Sequence, residues 1–102
     1  MFVVEIFLPL TRGDGSPQPA GRFAALRAEL VERFGGLTAF TRAPAVGLWE
    51  DEGERVERDE IVIFQVMAED IDHGWWAGLR ERLEREFAQD EVLVRATRAE
   101  RL

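Results

Sequence analysis

The stretch DEIVIFQVM, residues 59–67, decides the fold. Successive side chains of a strand point to opposite faces, so Val62, Phe64 and Val66 share one side while Ile61, Ile63, Gln65 and Met67 share the other. Neither side is polar enough to face water along its whole length. The opening run MFVVEIFL, residues 1–8, behaves the same way, with Phe2, Val4, Ile6 and Leu8 on one side and Val3, Glu5 and Phe7 on the other. Strands apolar on both faces belong in the middle of a sheet, and something must cover each face.

Working outward, the Gly-, Pro- and Asp-rich segment TRGDGSPQP (11–19) reads as a loop. A helix is expected from Ala20, because Phe23, Leu26, Leu30 and Phe34 recur along one face of a 3.6-residue period and Gly35-Gly36 suits a left-handed cap. Leu37–Thr41 begins a second strand. Pro44 cannot donate to a ladder, so a bulge, a bend or an edge position is expected there before Ala45–Trp49 resumes the extended run. The acidic segment 50–54 supplies turn chemistry for a long antiparallel hairpin joining the second strand to the third.

Beyond the third strand, Glu69, Asp70 and Asp72 offer caps for a second helix. Its apolar stripe, Trp76, Leu79, Leu83 and Phe87, repeats the spacing of the first helix. Three pairs, Arg80–Glu84, Glu81–Arg85 and Arg82–Glu86, are expected to ladder its exposed side. A last strand is expected over Glu91–Thr97, followed by a short tail.

The order strand, helix, strand, strand, helix, strand predicts an α+β ferredoxin-like βαββαβ fold, one domain over residues 1–102. Its four-stranded antiparallel sheet carries both helices on one face, with strands one and three central. That face is assigned Phe2, Val4, Ile6, Val62, Phe64, Val66, Val92 and Val94. The other face, with Val3, Glu5, Phe7, Ile61, Ile63, Gln65 and Met67, is left bare by the chain's own helices and is expected to be closed by a second subunit or a ligand.

Composition narrows the partners. Thirteen basic against twenty acidic residues give a formal charge of −7, which repels a phosphate backbone, so nucleic acid is not expected. All the basic residues are arginine, a bias we read as that of a GC-rich genome. Without cysteine there is no disulfide, no thiolate nucleophile and no thiolate metal site. No secretory signal pattern opens the chain and no apolar run approaches the roughly 20 residues that span a bilayer, so a soluble, cytoplasmic protein is expected.

Glu5 and Gln65 fall in adjacent central strands on the bare face, where a carboxylate and an amide can orient a polar group inside an apolar pocket beside Met67, or simply satisfy each other. His73, the one histidine, is expected among Glu69, Asp70 and Asp72, and across the sheet end from Arg12 and Asp14, an environment suited to a general base or a divalent metal. The capping role of the aspartates already explains their presence, so no metal site is assigned. Trp75 lies about 100° round the helix from Trp76 and is expected to pack on the hairpin or on a partner. Trp49, beside the acidic turn, is expected to touch a second subunit or a cross-strand neighbour. Val3, Phe7, Ile61, Ile63, Trp49 and Trp75 are therefore the interface candidates, and Glu5, Gln65, Met67 and His73 the ligand-pocket candidates. No phosphate-binding glycine loop, serine-histidine-acid set or nucleotide fingerprint is present, so no catalytic residue, enzymatic activity or cofactor is assigned.

The stretch GGLTAFTRAPAVGLWEDEG (35–53), followed by VERDEIVIFQVM and the helix bearing Trp75-Trp76, resembles small uncharacterised bacterial ferredoxin-like proteins of the domain-of-unknown-function type. At the level of fold alone the chain is similar to dimeric α/β-barrel proteins such as the small antibiotic-biosynthesis-type monooxygenases and stress-responsive barrel proteins. The resemblance bears on the fold and carries no catalytic residue onto this chain. From the bare apolar face we expect a homodimeric structural or interaction module formed through the open sheet face, the alternative being a small-molecule-binding protein or cofactor-independent enzyme of the barrel type, acting on a small apolar ligand with Glu5 or His73 as base.

Overall fold

A computed structural model places β1 at Phe2–Pro9, α1 at Ala20–Phe34, β2 at Thr38–Asp51, β3 at Arg55–Ala68, α2 at His73–Glu86 and β4 at Val94–Arg98. It describes the backbone of residues 1–51 and 55–102, and the side chains of residues 1–41 and 60–102. The strands form one antiparallel sheet in the order β2-β3-β1-β4, with β3 and β1 central. This is the ferredoxin-like α+β arrangement, and the alternation of the central strands sets its core. Ile6, Leu8 and Phe64 are fully buried, and Val4, Val62 and Val66 nearly so, whereas on the other face Val3, Glu5, Phe7, Ile61, Ile63 and Gln65 keep part of their surface and Pro9, at the end of β1, is buried.

The helices lie where their apolar stripes dictate. α1 buries Leu26 and Leu30 and ends at Gly35, whose φ of 80° is the left-handed cap that a side chain would strain. α2 begins where the Asp72 carboxylate accepts the Trp75 N–H at 3.0 Å, and buries Trp76, Leu79 and Leu83. Phe87, just past the last turn, is fully buried and meets Phe23 edge-on at 5.3 Å, tying the end of α2 to α1.

The second and third strands form the long hairpin, with a register shift between Phe40 and Ala45 that brackets Pro44. A residue that cannot donate to the ladder is absorbed there by an irregularity. The ladder continues to Asp51 opposite Arg55, so β3 starts four residues earlier than the apolar run suggests.

Three expectations need correction. The last strand begins at Val94, not Glu91. The Val92 N–H is taken by the Glu84 carboxylate at 3.0 Å, which fastens that residue to α2 while its side chain still enters the core. For the same reason Glu84 is not on an exposed ladder, although Arg80 does pair with it at 3.1 Å. Arg82 reaches Glu86 at 3.8 Å but bonds chiefly to Glu29 of α1, which clamps the two helices and holds the guanidinium more firmly protonated. Among the described residues no ion pair joins Glu81 to Arg85.

The third correction concerns direction. β1 and β3 are antiparallel, so Ala68 lies beside Phe2 while Ile61 lies beside Pro9. The loop after β1 and the loop after β3 therefore leave opposite ends of the sheet. Arg12 and Asp14 sit at the far end of α2 from His73, where the Gly13 N–H donates to the Ala88 carbonyl at 3.1 Å. Gln18 secures that end: buried, its Nε2 donates to the carbonyls of Thr11 at 3.1 Å and Phe87 at 2.6 Å.

Candidate functional site

The ladder places Glu5 directly opposite Gln65 on β3 and opposite Arg95 on β4. Glu5 spends its carboxylate on Arg95, whose Nε donates to Oε1 at 2.9 Å. The Arg95 guanidinium also lies 4.9 Å from the centroid of Phe7, so the centre of the outer face is an ion pair roofed over an aromatic ring. Arg95 escaped the sequence reading because its partner depends on register, which a five-residue edge strand does not announce.

Around that pair the outer face is apolar. Val3, Phe7, Ile61 and Ile63 are half-buried, while Phe40 is 48% exposed, Met67 51% and Leu93 50%. Phe40 stands opposite Ile63 and Met67 opposite Val3. Of the interface candidates, Val3, Phe7, Ile61 and Ile63 thus share one surface. The side chain of Trp49 lies outside the described residues, and its backbone pairs with Glu57. Trp75 is on the other side of the molecule: it meets Phe34 at 5.5 Å and Trp76 at 4.8 Å, both edge-on, and the Arg33 guanidinium covers its ring at 4.1 Å. Among the described residues it packs on α1, because the 100° step from Trp76 turns it along the helix layer, and the hairpin side chains it was expected to meet lie outside the described residues.

The ligand-pocket candidates do not gather in one place either. Glu5, Gln65 and Met67 are on the outer face, and His73 is across the sheet at the first residue of α2. His73 instead lines a groove of about 590 Å³ between the start of α2 and β4. Its bed is Phe2, Val4, Trp76 and Val94, and Asp70, Ile71 and His73 stand around it. The groove exists because the helix layer does not cover the β4 edge: Val94 is only half-buried and Ala96 is exposed, although both share the helix side of the sheet with Val4. Its size is within the 300–1,000 Å³ typical of small-molecule sites. Among the described residues no three His, Cys, Asp or Glu side chains gather as a metal cage would need, and no helix is long and apolar enough to cross a membrane.

Chemically the two places differ. The outer face offers apolar area around a paired Glu5 and Arg95, suited to burial against another surface. The groove offers an apolar bed with a carboxylate and an imidazole at its rim, suited to a small amphiphile.

No protein-family model matches the chain, and no curated protein sequence matches it. Among solved structures, a phage SAM lyase in complex with S-methyl-5'-thioadenosine is similar to it, with a TM-score of 0.59 over 94% of this chain and 79% of that one. At 19% identity the likeness is one of fold, and it supports the ferredoxin-like architecture described above.

Proposed function

We propose that this chain is a single-domain homodimeric module whose two copies meet through their outer sheet faces. One observation carries the reading: the outer face presents Phe40, Met67 and Leu93 to solvent beside half-buried Val3, Phe7, Ile61 and Ile63, an apolar patch that the chain's own helices do not touch. Charge selects a second copy as the occupant. A chain of net charge −7 repels itself over most approaches, yet among the described side chains the charged groups at the centre of the outer face, Glu5 and Arg95, neutralise each other. Two acidic copies therefore meet most cheaply there, and a twofold arrangement uses the same patch twice.

Sedimentation velocity over a range of concentrations tests this. The wild type should run as a dimer, and Phe40→Glu with Met67→Glu, both at half-exposed positions, should run as a monomer with the circular dichroism of the wild type. A wild type that stays monomeric at every concentration overturns the proposal.

A second reading, small-molecule binding, is favoured by the groove under α2. The similar phage enzyme is in complex with a thioether nucleoside, and an apolar bed of this size suits a ligand of that kind. Titration with S-methyl-5'-thioadenosine should give saturable binding that Val94→Arg, which lays a long side chain across the groove, abolishes. Binding that survives Val94→Arg would contradict a site in the groove.

A further inference from the structure

We propose that the groove under α2 and the shallower cavity beside it form one site for a zwitterionic amphiphile, an α-amino acid with a large apolar side chain. The proposal rests on the small-molecule reading above and names its ligand class. The two cavities share Phe2 and Asp70, which sets a polar cavity of about 490 Å³, the mouth, directly beside the apolar bed.

The charged side chains that line the mouth are Glu69, Asp70, Arg98, Glu100 and Arg101, and Met1 lines it too, its ammonium donating to the Ala99 carbonyl at 3.4 Å. Arg98 stands opposite Phe2 in the ladder, and its guanidinium lies 5.6 Å from the Phe2 ring centroid. A cation is thereby held at the boundary between mouth and bed. Asp70 faces the same boundary from the loop before α2, since it lines both cavities. Among the described residues neither Asp70 nor Arg98 has an ion-pair partner within 4.0 Å, so they do not close on each other either.

An acid and a base that share a cavity with a gap between them match a ligand whose ammonium and carboxylate sit on one carbon. The ammonium goes to Asp70, the carboxylate to Arg98 as a two-pronged pair, and the side chain to the bed of Phe2, Trp76 and Val94. Arg95 adds no competing cation, because its guanidinium is turned to Glu5 and Phe7 on the other face. A plain anion would meet Glu69, Asp70 and Glu100 as well as the arginines. A plain amine would leave Arg98 unanswered.

Isothermal titration with four probes tests the assignment: L-phenylalanine, phenylalaninamide, N-acetylphenylalanine and 2-phenylethanol. L-Phenylalanine should bind saturably, and the amide and the N-acetyl compound should each bind about tenfold more weakly, the worth of one charge-assisted contact. Asp70→Asn should erase the preference over N-acetylphenylalanine, and Arg98→Gln the preference over phenylalaninamide, with circular dichroism unchanged in both. If 2-phenylethanol binds as tightly as phenylalanine, the groove takes small molecules but the zwitterion assignment is wrong. If none of the four binds saturably while S-methyl-5'-thioadenosine does, the zwitterion assignment falls and the small-molecule reading stands; if that nucleoside fails as well, both fall.

Discussion

The two faces of the central strands are made of alternating residues of the same two segments, yet they meet opposite fates. On the helix side, Ile6 and Phe64 lose all contact with solvent. One residue away along each strand, Phe7 and Ile63 stay half-buried, and Met67 is half-exposed. The difference lies in what the chain can place over each face: two amphipathic helices have only one apolar stripe apiece, and both stripes are spent on one side. A sheet with greasy residues on both sides and helices on one therefore carries unfinished burial.

The largest effect that breaks this comparison should come from equal truncations on the two faces. Phe64→Ala opens a cavity in the sealed layer and should cost about 3–5 kcal/mol in urea denaturation. Phe40→Ala, on the outer face, should cost the dissociated subunit less than about 1 kcal/mol, because half of that ring is already in water. Equal losses at the two sites in dilute protein would erase the distinction between faces.

A smaller effect sharpens the account of charge. Arg95→Glu places a second carboxylate opposite Glu5 and makes each outer face more negative by two charges, which should raise the dissociation constant of the proposed dimer at least about tenfold. The exchange Glu5→Arg with Arg95→Glu restores neutrality and should recover most of the assembly, as read by sedimentation. Failure of the exchange to recover it would mean that neutrality of the face is not what permits association.

The smallest effect lies away from both faces. Asp14 is exposed, and hydrogen bonds from the Ser16 hydroxyl and then the Ser16 N–H hold its carboxyl below the usual aspartate range. A lowered folded pKa contributes stability that is present above the ordinary aspartate value and fades as pH falls through the lowered one. Asp14→Asn should therefore reduce the thermal midpoint slightly at neutral pH, with the difference from wild type vanishing in strong acid. A difference that grows on acidification would contradict the assigned sign.

What was legible in the sequence follows from the same contrast. Periodicity located both helices and the two central strands, and with the βαββαβ order it picked the core face, because Phe64, Val66, Leu30 and Leu83 lie at helix and strand spacings; it set the start of the last strand three residues too early. Chemistry that depends on register or direction was hidden. Glu5 looks free until β4 is aligned and brings Arg95 beside it. Arg12 and Asp14 look close to His73 only if the central strands are parallel, and β1 runs against β3. The groove was invisible for a third reason: it comes from the helix layer stopping short of the β4 edge, and nothing in VRATR marks which of its residues will go uncovered.

The most direct test is to ask whether the outer face is wet in solution, by measuring NMR line broadening of methyl groups with a soluble gadolinium chelate. The account predicts that the Val3, Ile61, Ile63 and Met67 methyls are shielded as well as those of Ile6 and Val66 at high protein concentration, and lose that shielding on dilution or in the Phe40→Glu, Met67→Glu variant. Strong broadening of the outer-face methyls at every concentration, with the Ile6 and Val66 signals untouched, would contradict it.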